Sequence, residues 1–249
     1  MPHWELAFFF FAIAFVYASV GFGGGSSYLA LLSLYALPFQ EMRLIALVCN
    51  VIVVTGGTIV FIRSGQVVWK KILPIVVVSI PLAYIGASLP ISHSVFFILL
   101  GCSLVLASIL LWVKTQSTVQ DIPGKYTHPV ANSILGGFIG FLSGMVGIGG
   151  GIFLSPVLNI MSWDTPKRIA ATASVFILVN SLAGIAGQLS HVPAEMNYTR
   201  VIILACSVLV GGLLGSNLGA VKFSPVLIRR VTALLVLGAG INVLLKHLP

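Results

Sequence analysis

The chain has 249 residues, of which 58% are hydrophobic and 7% are charged, and its mean hydropathy is +1.11. Soluble domains carry about 25% charged residues, so this composition excludes a soluble domain and predicts a membrane protein. The net charge of +8 does not indicate nucleic-acid binding, because the basic residues flank apolar segments instead of clustering on one face. The three cysteines lack a C-x-x-C spacing, so neither a disulfide framework, a metal site nor a cofactor is expected.

The apolar segments predict an all-α polytopic membrane protein. Eight of them are long enough to cross a hydrocarbon core of about 30 Å: residues 4–20, 44–62, 72–89, 95–113, 130–146, 169–189, 200–220 and 231–246. Two further helices are predicted at 26–37 and 152–162. With about 12 residues each they would reach only about 18 Å, so they cannot cross the core directly.

A glycine tract precedes each short helix, as GFGGG at residues 21–25 and as GIGGG at 147–151. Each glycine in a helix interior costs about 1 kcal/mol relative to alanine, so three in a row predict a break in the helix. We therefore expect two re-entrant hairpins whose tips are the glycine tracts. Glycines spaced four residues apart elsewhere, at 136, 140 and 144 and at 211, 215 and 219, are expected to serve helix packing.

The distribution of Lys and Arg gives the topology. If both hairpins return the chain to the side from which it came, ten basic residues lie on one side and three on the other, namely Arg43, Arg200 and Lys246. If each half instead has four plain crossings, the Lys and Arg residues divide six against seven between the two sides. The positive-inside rule then gives no orientation. The positive-inside rule favours hairpins, with residues 114–128 and 221–230 in the cytoplasm and both termini outside.

Two inverted repeats follow from this topology, since each half reverses sidedness an odd number of times. Repeat 1 covers residues 1–114 and repeat 2 covers 130–249, and a cytoplasmic linker, 115–129, joins them. Each repeat is a glycine-tipped helix pair followed by three transmembrane helices. The halves align over the glycine tracts, over GASL at 86–89 with GSNL at 215–218, and at Arg43 with Arg168, two residues expected to be interface anchors.

These motifs resemble the sulfite exporter TauE/SafE family of bacterial membrane transporters, over essentially the whole chain. The resemblance is strongest at residues 147–187, where GIGGGIFLSP is followed by RIAATAS. In the first half, Ser26-Ser27-Tyr28 has no counterpart of Pro156, and residues 44–49 lack the Ala-Thr-x-Ser element of 171–174. The resemblance implies movement of small anions, often sulfur-containing oxoanions or organosulfonates, across the cytoplasmic membrane.

The acidic residues independently favour an anionic substrate. All five fall in predicted loops or at helix ends, so no carboxylate is placed to bind a cation at the bilayer midplane. An anion can instead be held by backbone N–H groups at the broken tips and by neutral donors, without a buried Lys or Arg. The candidate substrate-binding residues are Gly23, Gly24, Gly25, Ser26, Ser27, Asn50 and Thr55 in the first half and Gly149, Gly150, Gly151, Ser174, Asn180 and Ser181 in the second. The two asparagines are equally suited to interhelical hydrogen bonds.

The sequence distinguishes three classes of function. An intramembrane enzyme would need a nucleophile with a base at membrane depth, but no histidine, lysine or carboxylate is predicted there and no Gly-x-Ser-x-Gly elbow occurs. A secondary carrier accounts for the duplication, the paired breaks and the expected lack of buried charge together. An anion channel and a carrier of small carboxylates remain as alternatives, and the coupling ion (H⁺ or Na⁺) and the oligomeric state stay open.

Overall fold

A computed structural model describes residues 4–18, 22–35, 37–113, 129–189, 196–222 and 225–247. Within these ranges the chain is helical and has no strand. The α-helices are α1 (Trp4–Ala18), α2 (Gly25–Leu32), α3 (Phe39–Arg63), α4 (Trp69–Ser88), α5 (His93–Val113), α6 (Pro129–Val146), α7 (Gly151–Ile160), α8 (Pro166–Gln188), α9 (Tyr198–Lys222) and α10 (Pro225–His247). A 3-10 turn, Ser33–Tyr35, follows α2.

The predicted helices are all present, with shifted ends. The largest shift at a helix start is in α10, which begins at Pro225 and not at residue 231, and α3 begins at Phe39 and not at residue 44. Residues 221–230, predicted as a loop, are mostly helical, because α9 runs to Lys222 and α10 begins at Pro225. Of the predicted linker, 115–129, Pro129 already begins α6 and the rest lies outside the described residues.

Six of the described helices are long and apolar enough to cross a membrane, namely α3, α4, α5, α6, α8 and most of α9. Helix α1 has 15 described residues and α7 has 10, which is short of a straight crossing. The protein is therefore an all-α polytopic membrane protein in which α2 and α7 are partial helices.

The helices of the two halves make matching contacts. Helix α1 packs on α9, and its counterpart α6 packs on α4. In the same way α2 contacts α3 and α10, whereas α7 contacts α8 and α5. The pairs α3–α8 and α5–α10 each join a helix to its own counterpart. Exchanging the halves thus leaves these helix contacts unchanged.

Equivalent helices begin at opposite ends of the bundle. At one end, called here the α3 end, Glu41 near the start of α3 bonds to Arg200 near the start of α9. At the other, the α8 end, Lys71 near the start of α4 bonds to Asp164, just before α8. Helix α3 therefore starts where α9 starts, and α8 starts where α4 starts.

Glycines let the backbones of α4 and α6 approach closely. The α6 glycines that face α4 are Gly136, Gly140 and Gly144. A Cβ added to Gly140 would lie 2.7 Å from the carbonyl oxygen of Ser79, and one on Gly144 would overlap the carbonyl of Ala83. The expectation that these glycines serve helix packing is confirmed.

The same close approach recurs between α1 and α9, at equivalent positions. A Cβ on Gly86 of α4 would overlap the carbonyl of Phe141, and one on Gly215 of α9 would overlap that of Phe15. Phe15 and Phe141 are 126 residues apart, which is also the spacing of the two glycine tracts. The alignment of the halves therefore holds at the level of single contacts.

Gly144→Ala is expected to destabilise the protein, because the new methyl group meets backbone that cannot move aside. Such overpacking costs about 1–3 kcal/mol, so the unfolding temperature in detergent should fall by several degrees. Gly56→Ala is the matched control, since nothing lies within 4 Å of a Cβ at that exposed position in α3. Equal unfolding temperatures for the two variants would contradict the close packing of α4 on α6.

Candidate functional site

Each partial helix begins at a glycine in the left-handed backbone region. Gly24 precedes α2 with a φ of 85°, and Gly150 precedes α7 with a φ of 81°. Side chains other than glycine rarely adopt these angles, so the glycine tracts fix where α2 and α7 start. Neither helix has a side-chain cap at its N-terminus. The N–H groups at the first two positions of each helix are therefore left without an intrahelical acceptor.

The two glycine tips lie against each other. A Cβ on Gly25 of the first tip would lie 2.7 Å from the carbonyl oxygen of Ile148 in the second. Asn50 of α3 is fully buried between them, and its Nδ2 donates to the Ile148 carbonyl at 2.9 Å. Its Oδ1 faces Gly23 and has no hydrogen-bond partner. A buried, unpartnered amide oxygen marks this junction as a place for a polar ligand or water.

A cavity of about 580 Å³ extends from the tips toward the α8 end. Its deep part is lined by Gly23, Gly24, Gly25, Ser26, Asn50 and Gly151. Its mouth includes Ser64, Pro166 and Lys167, three exposed residues at the end of α3 and the start of α8. The cavity is therefore open at the α8 end, with the glycine tips at its inner wall.

The electrostatics of the cavity suit a negative charge. Helices α2 and α7 both point their N-termini into it, through Gly25 and Ser26 and through Gly151 and Ile152. A helix N-terminus carries roughly half a positive charge, and its free N–H groups are hydrogen-bond donors. Lys167 lies at the mouth, and none of the described residues lining the cavity is acidic.

The structure separates the predicted site residues into three groups. Those listed above for the deep part of the cavity come together there. Ser27 instead bonds to Tyr17 Oη at 2.7 Å, Thr55 bonds to the backbone of its own helix, and Ser174 bonds to Thr58 at 2.8 Å. These three hydroxyls hold helices in place or satisfy local backbone groups.

The remaining predicted residues lie behind the second tip. Gly149 and Gly150 are buried, with Ser181 Oγ 2.8 Å from where a Gly149 Cβ would be. Asn180 donates to the Phe176 carbonyl of its own helix at 2.8 Å. Its Oδ1 and Ser181 Oγ are buried without a partner. These residues shape the tip from behind and are not part of the cavity wall.

A buried arginine lies on the far side of the tips, where no buried basic residue was expected. Arg43 is 3% exposed, and its Nη2 donates to the carbonyls of Gly144 at 2.9 Å and Ala87 at 3.2 Å. Gly147 packs against its aliphatic stem. The interpretation of Arg43 as an interface anchor is wrong, because its charge is held by carbonyls at the ends of α4 and α6 and does not face the bilayer surface.

Comparison with known proteins places these features in a family. The model of the family described as "Sulfite exporter TauE/SafE" matches residues 6–243. The chain belongs to the TauE/SafE family. A "Probable membrane transporter protein y4hK" of Sinorhizobium fredii (strain NBRC 101917 / NGR234) is 33% identical over 96% of this chain and 97% of its own length.

A second relative is more distant. The "Probable membrane transporter protein YunE" of Bacillus subtilis (strain 168) is 28% identical over 79% of this chain and 81% of its own length. No solved structure matches the chain significantly. The chain is therefore a multi-pass membrane transporter of the TauE/SafE family.

Five cavity residues were not predicted from the sequence. Ser155, Asn159 and Lys167 lie in the stretch that most resembles the TauE/SafE family, and Tyr17 and Phe22 lie in the first half. A helical period gives the signal that could have found two of them, Ser155 and Asn159. Gly151, Ser155 and Asn159 are four residues apart, so they share one face of α7.

An ion-pair cluster stands beside the cavity mouth. The Asp164 carboxylate is 4% exposed and bonds to Lys71 Nζ at 2.7 Å and to Arg168 Nη1 at 3.5 Å. Burial raises the pKa of Asp164, but hydrogen bonds from Lys71 and the Thr165 N–H and the two positive charges outweigh burial and lower it. A lowered pKa means that the folded state favours the ionised carboxylate.

Asp164→Asn should therefore lower stability near neutral pH and lose its effect in acid. The pKa of Asp164 lies below its unfolded value of about 3.9, so its contribution is complete above that pH and declines as the pH falls through the folded value. Because Lys71 is 36% exposed, solvent limits the contribution to about 0.5–1 kcal/mol. Thermal unfolding in detergent from pH 7 to pH 3, with exposed Lys70→Gln as control, measures it. A pH-independent difference would contradict this assignment.

Proposed function

We propose that this protein is a secondary transporter that moves a small anion across the cytoplasmic membrane by alternating access. One observation carries the proposal: two partial helices, α2 and α7, point uncapped N-termini into one cavity. Partial helices that meet at membrane depth are how many transporters bind anionic groups. Family membership supports sulfite, thiosulfate, an organosulfonate or a similar sulfur-containing anion as the substrate.

The shape of the cavity favours a carrier over a channel. A channel needs a path open to both sides, whereas this cavity opens at the α8 end and its inner wall is the pair of glycine tips. Beyond the tips, Arg43 joins the ends of α4 and α6, and Glu41 joins α3 to α9. A site open on one side and closed on the other is one of the two states that alternating access requires.

The open side is proposed to face the cytoplasm. Arg63, Lys70, Lys71, Lys167 and Arg168 all lie at the α8 end, which the positive-inside rule assigns to the cytoplasmic face. The opposite starting ends of α3 and α8 support an arrangement of the halves as inverted repeats. Both termini are then outside the cytoplasm, and the protein lies in the inner membrane of a bacterial cell.

Uptake into proteoliposomes tests the substrate and the site. Purified protein should take up labelled sulfite or thiosulfate with saturation, and unlabelled substrate anion should compete. Asn50→Asp adds a negative charge between the tips, and at about 4–5 Å in a partly buried site the repulsion should reduce uptake roughly a hundredfold. Ser26→Ala removes a hydroxyl from the cavity wall and should raise KM roughly tenfold.

Ser207→Ala is the control for Ser26→Ala, because this α9 hydroxyl bonds to its own helix at the Ile203 carbonyl and does not line the cavity. Its KM should equal that of the parent. Competition by acetate but not by sulfite would move the substrate to small carboxylates, and non-saturating conductance would identify a channel. Wild-type uptake by monodisperse Asn50→Asp protein would remove the tips as the site.

Cysteine labelling tests the orientation, in a variant that lacks Cys49, Cys102 and Cys206. His3→Cys should react with an impermeant maleimide in intact cells, because the N-terminus is proposed to be outside. Ser117→Cys, in the linker, should react only after the membrane is permeabilised. Labelling of Ser117→Cys in intact cells would reverse the proposed topology.

A further inference from the structure

Arg43 fastens the closed side of the tips. One guanidinium nitrogen bonds to two carbonyls near the ends of two different helices, at Gly144 of α6 and at Ala87 of α4. Its Nε is buried and has no partner. Arg43 itself belongs to α3, so one side chain joins three helices next to Gly147 at the base of the second tip. Separating these helices would leave a buried positive charge without acceptors, which is costly.

The equivalent residue in the second half is Arg168, and it is in a different state. Its side chain is 44% exposed, and it lies 3.5 Å from Asp164 at the cavity mouth. Within the described part of the chain, Arg168 bonds to Asp164 one turn earlier and to no second helix. Two residues in equivalent places thus differ in burial and in partners.

The symmetry of the halves identifies the carbonyls that Arg168 would reach if it behaved as Arg43 does. Position 144 of α6 corresponds to Ala18 of α1, by the same spacing of 126 residues that relates Phe15 to Phe141. Position 87 of α4 corresponds to Ser216 of α9, by the spacing of 129 residues that relates Gly86 to Gly215. Both Ala18 and Ser216 line the open cavity.

We propose that Arg43 and Arg168 are paired latches that close opposite sides of the site in turn. In the state described here, Arg43 is inserted and the α3 side is closed, while Arg168 rests on Asp164 and the α8 side is open. When the carrier turns over, Arg168 leaves Asp164 and bonds to the carbonyls of Ala18 and Ser216, closing the cavity, and Arg43 is released. This assignment rests on the alternating access proposed above and adds the residues that govern it.

Access to the cavity from each side tests the latches without a substrate. Ser155→Cys, in a background without native cysteines, places a thiol in the cavity wall. Its rate of reaction with a charged, impermeant methanethiosulfonate reagent is measured in inside-out and in right-side-out vesicles. Arg168→Gln removes the latch of the inward-closed state and costs the inward-open state only a weak, exposed ion pair with Asp164, so the ratio of inside to outside rates should rise roughly tenfold. Arg43→Gln should shift the same ratio in the opposite direction.

Two control variants each remove one positive charge, one at each end of the bundle, and neither changes a latch residue. Lys70→Gln is exposed at the α8 end, and Lys246→Gln is exposed near the end of α10. Both should leave the ratio within about twofold of the parent. The Arg168 arm decides the matter, because this exposed side chain can be replaced without disturbing a packed core.

An unchanged ratio in Arg168→Gln, or a shift toward outside access, would overturn the latch assignment. That result would leave the effects of Asn50→Asp and Ser26→Ala on anion uptake in place. Conversely, a protein that takes up none of the tested anions would overturn the proposed function while the access ratios still reported the latches. The two failures are therefore distinguishable.

Discussion

The architecture depends on the cost of leaving backbone N–H and C=O groups unpaired in a membrane. Within the hydrocarbon region each such group costs several kcal/mol, so a chain can interrupt its helices only where the interruption is covered by protein or lines a cavity. This chain interrupts itself at two glycine tips that press against each other and against Asn50. The N–H groups freed there face the cavity, where an anion can accept from them. Under the proposed function, the substrate anion would pair the same backbone N–H groups that the break in the helix leaves free.

Close approach of backbones explains how the tips are held. Between α4 and α6, and between α1 and α9, glycines leave no room for a Cβ against a neighbouring carbonyl, so the two pairs of helices are in direct backbone contact. Without a hydrophobic driving force between helices in lipid, such contacts supply much of the association energy. Helices α1 and α6 are also the arms that lead into the tips. Their packing on α9 and α4 therefore fixes the position of each tip relative to the other half.

Features that depend on local sequence were predictable, and features that depend on contacts across the halves were not. Helix positions, the broken tips and the packing glycines follow from apolar length and glycine spacing, which act within one segment. The burial of Arg43 depends on carbonyls of Ala87 and Gly144, 44 and 101 residues away. Likewise Ser174 was expected to bind the substrate, but its hydroxyl bonds to Thr58, which lies 116 residues earlier in the chain. A hydroxyl or guanidinium in an apolar helix signals a need for a partner without saying which one.

The two halves differ at Arg43 and Arg168, and under the proposed alternating access this difference reflects the conformational state of the carrier. A perfectly symmetric contact set would place equivalent residues in equivalent environments, and the main helix contacts and the contacts of Gly86 and Gly215 obey this rule. Arg43 and Arg168 do not, since one is buried between helix ends and the other is paired at an exposed mouth. The backbone around the two arginines is equivalent in the two halves. Their difference therefore fits the open and closed positions of the proposed latches better than two unrelated roles. Under the proposed alternating access, inverted halves would exchange conformations, and each half would then display the geometry that the other adopts next.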